Sequence, residues 1–142
     1  MTTHDHDIDQ LVDRYRLEPH PEGGWFRRTW TSDQTGPDGR RAASSILYLL
    51  GPRSEGRWHR IDADELWVHA GGGGLALRQW SDGAAAVRTG DVGPGVDSLV
   101  PAGTWQQAVT GDSWSLVNCV VVPEFVEQGF ELAPEGWTPL PG

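Results

Sequence analysis

Gly56-Arg57-Trp58-His59-Arg60-Ile61-Asp62-Ala63-Asp64-Glu65-Leu66-Trp67-Val68-His69-Ala70-Gly71 is the stretch from which the rest of the chain can be read. A short run carrying His59 breaks at Asp62 to Asp64. It returns with Glu65, Trp67 and His69 alternating against Leu66, Val68 and Ala70. Alternation with period two marks a strand, because successive side chains leave opposite faces, so the stretch predicts a β-hairpin. A second break of the same kind lies between Gly95 and Gln106, where Pro101 and Gly103 interrupt an apolar run that resumes at Trp105. Two such hairpins face to face would bring His59, a carboxylate and Gln106 into one interior.

Outward from these stretches, the chain reads as many short strands. Of its 142 residues, 19 are glycine and 10 proline, spread throughout, which indicates tight turns rather than a disordered tail. This length is one domain with a real core. Ile8, Leu11, Val12 and Tyr15 fall at helical spacing, capped by Asp5 or Asp7 and ended by Leu17, since Pro19 disfavours helix for the residue before it. Strands are expected over 25–31, 44–50, 75–80, 84–88, 96–100, 104–109 and 113–122, and a short helical or irregular cover after Pro123. The expected organisation is a flexible N-terminus over 1–7, a single domain over 8–133 and a loose Pro-rich tail over 134–142. Ten or so short strands with a turn every eight to twelve residues predict an all-β sandwich or barrel.

Composition narrows the function. There are 20 acidic residues against 11 basic ones, all of them arginine, for a net charge of −9. Nucleic acid is excluded as a partner, because binding it needs a basic patch. No apolar stretch reaches the length of a membrane span and no signal-peptide core follows Met1, so a cytoplasmic protein that does not enter the membrane is expected. The single cysteine, Cys119, sits in an apolar run and reads as a small buried hydrophobe. Eight tryptophans against three phenylalanines suit the lining of a cavity or an interface.

The two stretches resemble the two motifs of the cupins. His59 stands at the second histidine of the first motif, Asp64 at its acid and Gly71 at its closing glycine; Arg57 takes the place of the first histidine. Gly95, Pro101 and Gly103 fit the second motif, with Gln106 where its histidine belongs. Four further blocks resemble the small cupins of the DUF985, or cupin-5, family. They are His20-Pro21-Glu22-Gly23-Gly24, Ser45 to Leu50, His59-Arg60 with Asp64-Glu65 and Trp67, and Val122-Pro123-Glu124-Phe125 running on to Phe130-Glu131-Leu132. The resemblance covers roughly residues 11 to 133. It implies the cupin double-stranded β-helix, a form of the jelly roll, with a short N-terminal helix. It also implies a homodimer, for which Trp25, Phe26 and Trp30 on one strand offer aromatic surface on both faces.

His59 is the first candidate for chemistry, since an imidazole exchanges protons near neutral pH. Asp64 and Glu65 compete for the role of its carboxylate, because adjacent strand residues point to opposite faces. The motif count favours Asp64. The company of Trp67 and His69 favours Glu65, with Asp64 then organising the turn. Catalytic candidates are therefore His59, Glu65 and Asp64, and ligand-binding candidates Tyr48, Trp67, His69, Trp105 and Gln106. A cupin metal would want three histidines and a glutamate, and the replacements at 57 and 106 argue against any metal cofactor. The leading expectation is a metal-independent, isomerase- or epimerase-like enzyme moving a proton on a small polar metabolite, with His59 as base and a carboxylate orienting it. A non-catalytic ligand-binding protein and a metal-dependent oxygenase or hydrolase are the alternatives.

Overall fold

The computed structural model describes residues 3–140 as two antiparallel sheets packed face to face with one helix outside. Chain order runs α1 (Thr3–Tyr15), β1 (Glu18–Pro19), β2 (Trp25–Thr31), β3 (Ser44–Leu50), β4 (His59–Ile61), β5 (Asp64–Gly72) and β6 (Leu75–Trp80). Then follow β7 (Arg88–Val92), β8 (Ser98–Val100), β9 (Trp105–Thr110), β10 (Ser115–Val122), a 3-10 turn (Glu127–Gly129) and β11 (Phe130–Leu132). The first sheet has the order β1-β2-β3-β10-β5-β8 and the second β11-β4-β9-β6-β7. This is a jelly roll. None of the described helices is long and apolar enough to cross a membrane.

Both sequence-expected hairpins turn out to be corners between sheets. Strand β4 pairs with β9 and β11 in the second sheet, whereas β5 pairs with β10 and β8 in the first. Likewise β8 belongs to the first sheet and β9 to the second. A two-residue break reads the same in sequence whether the chain folds back on itself or switches layers. The corners are stitched to each other: Gly103 N–H donates to Ile61 O at 2.8 Å, and Ala102 N–H to the Asp64 carboxylate at 2.9 Å. As a result His59, just before one corner, and Glu65, just after it, face the same interior from opposite sheets.

The core follows from strand alternation. In β3, Tyr48 and Leu50 point between the sheets with Trp67, Leu77 and Val117, while Leu47 and Leu49 point outward under α1. The helix lays Ile8, Leu11, Val12 and Tyr15 on that outer face, as its period predicts. It begins earlier than expected, at Thr3, so residues 3–7 are helical and Asp7 lies within it; residues 1 and 2 fall outside the described residues. Its end before Leu17 is where the sequence predicts it. Arg16 adopts φ of 56°, Arg16 N–H donates to Asp13 O at 3.3 Å and Leu17 N–H to Val12 O at 2.9 Å, a Schellman ending.

Two further expectations change. Residues 84–87 form the turn out of β6, so the strand starts at Arg88 rather than at 84. The tail over 134–140 is docked: Trp137 packs against Trp58, Trp80 and Trp105 on the outside of the second sheet. Residues 141 and 142 lie outside the described residues.

Candidate functional site

A cavity of about 340 Å³ opens between the sheets near the start of β4 and β5. Its polar wall is His20, Glu22, Ser44, Ser45, Tyr48, His59 and Glu65, with Glu127 from the 3-10 turn also lining it. Its apolar wall is formed by Phe26, Ile46, Ile61, Val121, Phe125 and Phe130.

His59 is delivered by β4, opposite Gln106 on β9, and is 4 % exposed. Its Nδ1 lies 2.9 Å from Glu22 Oε2 and 3.1 Å from Arg57 O. Both neighbours are acceptors, so Nδ1 carries a proton and the ring's working edge is Nε2. Burial alone would depress the imidazole's pKa. The Glu22 carboxylate overrides it by charge and hydrogen bond, with help from Glu65, and the value rises to about 9. Glu22 responds in kind: burial pushes its carboxyl up, His59 pulls harder, and it ends below the ordinary value.

Glu22 reaches this place because its turn is pressed against β3. A Cβ on Gly24, whose φ is +80°, would sit 2.5 Å from Leu49 O, so only glycine fits there. Tyr48 O–H donates to Gly23 O at 2.5 Å and holds the turn down. His20 Nδ1 accepts from Glu22 N–H at 3.1 Å, and burial lowers the ring's pKa despite the nearby Glu22.

Glu65 comes from the opposite sheet. Gln106 Nε2 donates to its Oε1 at 2.7 Å, while Trp67 Nε1 donates to Gln106 Oε1 at 2.9 Å. The indole is a donor only, which fixes the orientation of the Gln106 amide. Burial raises the Glu65 pKa, and neighbouring Glu22 adds to it; His59 and Gln106 offset this only in part. Burial likewise holds the Cys119 thiol well above its usual value, and nearby Glu65 and Glu22 add to this.

The cavity thus brings together His59, Glu65 and Tyr48 from the expected set, with Gln106 and Trp67 supporting Glu65 from behind. Asp64 is exposed and holds the Pro101–Thr104 corner, because its side chain leaves the opposite face of β5 from Glu65. Trp105 lies on the outer face of the second sheet, for the same reason that Gln106 lies inside. His69 sits beyond the cavity, beside a bulge opposite β10, where its Nε2 donates to Gly72 O at 2.9 Å. Sequence reading missed Glu22 and His20. Their signal was the glutamate set directly before a glycine pair, which marks a backbone forced into close approach.

The residues present do not fit the cupin metal. Arg57 turns away from the cavity, its guanidinium donating to Ala133 O, and both amide atoms of Gln106 are committed. Asp64 is outside, which leaves His59 alone among the four motif positions facing the cavity. Among the described residues no group of three or more His, Cys, Asp or Glu is placed to hold a metal ion.

The family described as Cupin superfamily (DUF985) matches residues 9–133. Among solved structures, a crystal structure of a Shewanella oneidensis protein is 31% identical, with a TM-score of 0.80 over 88% of this chain and 83% of that one. A hypothetical protein from Leishmania major is 27% identical, with a TM-score of 0.76 over 87% of this chain and 85% of that one. Oxalate decarboxylase from Bacillus subtilis, 18% identical with a TM-score of 0.65, shares the fold over 80% of this chain and 29% of its own. No curated protein matches the sequence. With the match spanning the second half of the helix, both sheets and every residue of the cavity wall, this chain belongs to the DUF985 family of the cupin superfamily.

Proposed function

We propose that the cavity is the active site of a metal-independent enzyme that moves a proton on a small polar metabolite, as isomerases and epimerases do. The observation that carries this reading is the buried Glu22–His59 pair with its Nε2 edge turned to the cavity. Glu22 fills the orienting role that the sequence assigned to Glu65 or Asp64. It holds Nδ1–H and stabilises the imidazolium that forms when Nε2 takes a proton.

In the simplest step, Nε2 of the neutral ring takes the proton from a carbon next to a carbonyl. The C–H electron pair stays on the substrate as an enolate. The proton then returns to carbon or to oxygen, and nothing is oxidised. Glu65, held rigidly by Gln106, faces the substrate from the other wall and fixes its position. Because the ring must be neutral to accept a proton and its pKa is about 9, the rate should climb with pH and level off above that value.

Proton NMR in deuterium oxide, with small α-hydroxy and α-amino carbonyl compounds, tests the proposal. Loss of a C–H signal in the presence of the protein, abolished in His59→Gln and strongly slowed in Glu22→Gln, is the expected result. A compound that binds in the cavity without exchange at any pH between 6 and 10 would make this a ligand-binding protein instead.

We also propose a homodimer, though on a different surface from the one the aromatic strand suggested. Trp25 packs under α1 and Phe26 lines the cavity, so of those three rings only Trp30 is free. Trp30, Ser45, Val120, Leu66 and Leu99 form one row across the outer face of the first sheet, beside the part that α1 covers. Trp30 and Leu99, at its ends, are 51% and 54% exposed. A second copy would bury a row that no other described element covers. Light scattering at micromolar concentration should give twice the mass of one chain, and Leu99→Glu should halve it.

A further inference from the structure

We infer that the cavity's ligand is a small organic cation, a protonated amine on an apolar body, with the Glu65 carboxylate as its counter-charge. This deepens the reading of the cavity as a substrate site and rests on it. The first support is the charge inventory of the wall. Glu22, Glu65 and Glu127 line the cavity against two histidines, and no arginine reaches it. The chain has no lysine. The arginines nearest the rim are taken elsewhere: Arg28 by Phe125 O and Glu124, Arg40 by Asp62 and Glu124 O, Arg60 by Glu131 and Asp82.

The second support is the distribution of those charges. The positive charge of His59 is spent on Glu22 at 2.9 Å. Glu65, 7% exposed, has for hydrogen-bond donors two neutral groups, the amide of Gln106 and the thiol of Cys119. A carboxylate taken out of water without a counter-charge either keeps a proton or receives a cation. The groups facing it are Gln106 and the Cys119 thiol alongside, with His59, Glu22 and Tyr48 across the cavity, and none of these is a free cation. The raised pKa of Glu65 agrees with this geometry.

The third support is the remainder of the wall. Phe26, Phe125 and Phe130 present aromatic rings to the cavity among aliphatic side chains, and a desolvated ammonium gains from a ring face what an anion does not. An anion would meet three carboxylates. A polyol would leave unpaired those of its hydroxyls that meet the phenylalanine and aliphatic wall. An amine with an apolar body satisfies both walls.

Three probes of one shape and different charge decide the matter: benzylamine, benzyl alcohol and benzoate, titrated by calorimetry against the full chain at pH 7.5. Benzylamine should bind at least ~10-fold more tightly than benzyl alcohol, about 1.4 kcal/mol, and benzoate most weakly. Titrations repeated at falling pH in buffers of different ionisation enthalpy should show proton release that grows as Glu65 gains its proton, since the cation restores the ionised carboxylate. In Glu65→Gln the amine should fall to the level of the alcohol, with proton release gone. Benzoate binding as well as benzylamine, no preference between amine and alcohol, or a preference that survives Glu65→Gln would each overturn the inference. The wild-type ranking stands as a test even if the variant does not fold. Amine selectivity without hydrogen exchange in any substrate would sink the proposed enzyme and leave this inference standing. Exchange on neutral compounds with no amine selectivity would do the reverse.

Discussion

The two faces of the second sheet handle charge in opposite ways, although neighbouring residues supply both. Outward, Arg60 lies 4.5 Å over the Trp105 ring and forms ion pairs with Glu131 and Asp82 at 2.8 and 3.2 Å. Arg78 sits over Trp58 and donates to Gln107, and Trp137 closes the cluster. Arg60, Glu131 and Asp82 each have a charged partner and access to water, so they cost little and commit the face to packing. Inward, one residue along each strand, His59 faces the cavity and Gln106 backs Glu65, and the wall carries the three carboxylates of Glu22, Glu65 and Glu127 with the His59 imidazolium already paired to Glu22. The outer face is electrostatically finished. The inner one is not, and that imbalance is what a substrate can complete.

The largest expected effect is on the finished face. Trp105→Ala removes a ring that is 6% exposed and packed between Arg60 and Trp137, and should cost about 3–5 kcal/mol of stability by denaturant unfolding. Probe binding in the cavity should not change, because Gln106 is held by Trp67 from the other sheet. Loss of binding at temperatures where the variant is still folded would mean the two faces are not independent.

His59→Gln should come next, and its effect should depend on pH in a way no outer-face variant can match. With the folded pKa raised from 6.5 to about 9, His59 contributes stability that is fully present below pH 6.5 and is lost as pH rises through 9. Glu22, whose pKa is depressed, contributes stability present above pH 4.5 and lost as pH falls through its lower folded value. Wild type should therefore exceed His59→Gln by up to roughly 3 kcal/mol near pH 6, with the gap closing toward pH 10. Parallel melting curves across that range would show that the Glu22–His59 pair is not ionic.

The same contrast explains what could be read before the structure. Alternation from Glu65 to Ala70 and the Gly and Pro breaks are local, so the all-β fold, most strand positions and the inward turn of Glu65 with Trp67 were legible in the sequence. Which strand pairs with which is not local, and the Asp62–Ala63 break carried no mark that it crosses between sheets. Glu22 was hidden for a related reason. It lies 37 positions before His59 in a turn that would ordinarily face solvent, and only the close approach of Gly24 to β3 brings it in. Trp137 was read as tail because its three aromatic partners come from three separate stretches of the chain. Truncation of its side chain, Trp137→Ala, should cost about 2 kcal/mol, less than Trp105→Ala because the ring is only half-buried.

The smallest effect has the opposite sign. Burial and Glu22 raise the folded-state pKa of Glu65 above its unfolded value, so any stability linked to its titration is present below pH 4.5 and lost as pH rises through the folded pKa. Above that point the protein holds an ionised carboxylate that Gln106 only partly compensates. Glu65→Gln keeps the size and one acceptor oxygen for the Gln106 amide while removing the charge. It should therefore raise the melting temperature at pH 8, by a gain on the order of 1 kcal/mol, and be neutral at pH 4. A variant that is more stable yet has lost amine selectivity would identify Glu65 as a group retained for its ligand at the expense of the fold. If instead Glu65→Gln destabilises the protein at pH 8 as much as at pH 4, Glu65 is a structural partner of Gln106 and Trp67, and the inner face is as electrostatically complete as the outer one.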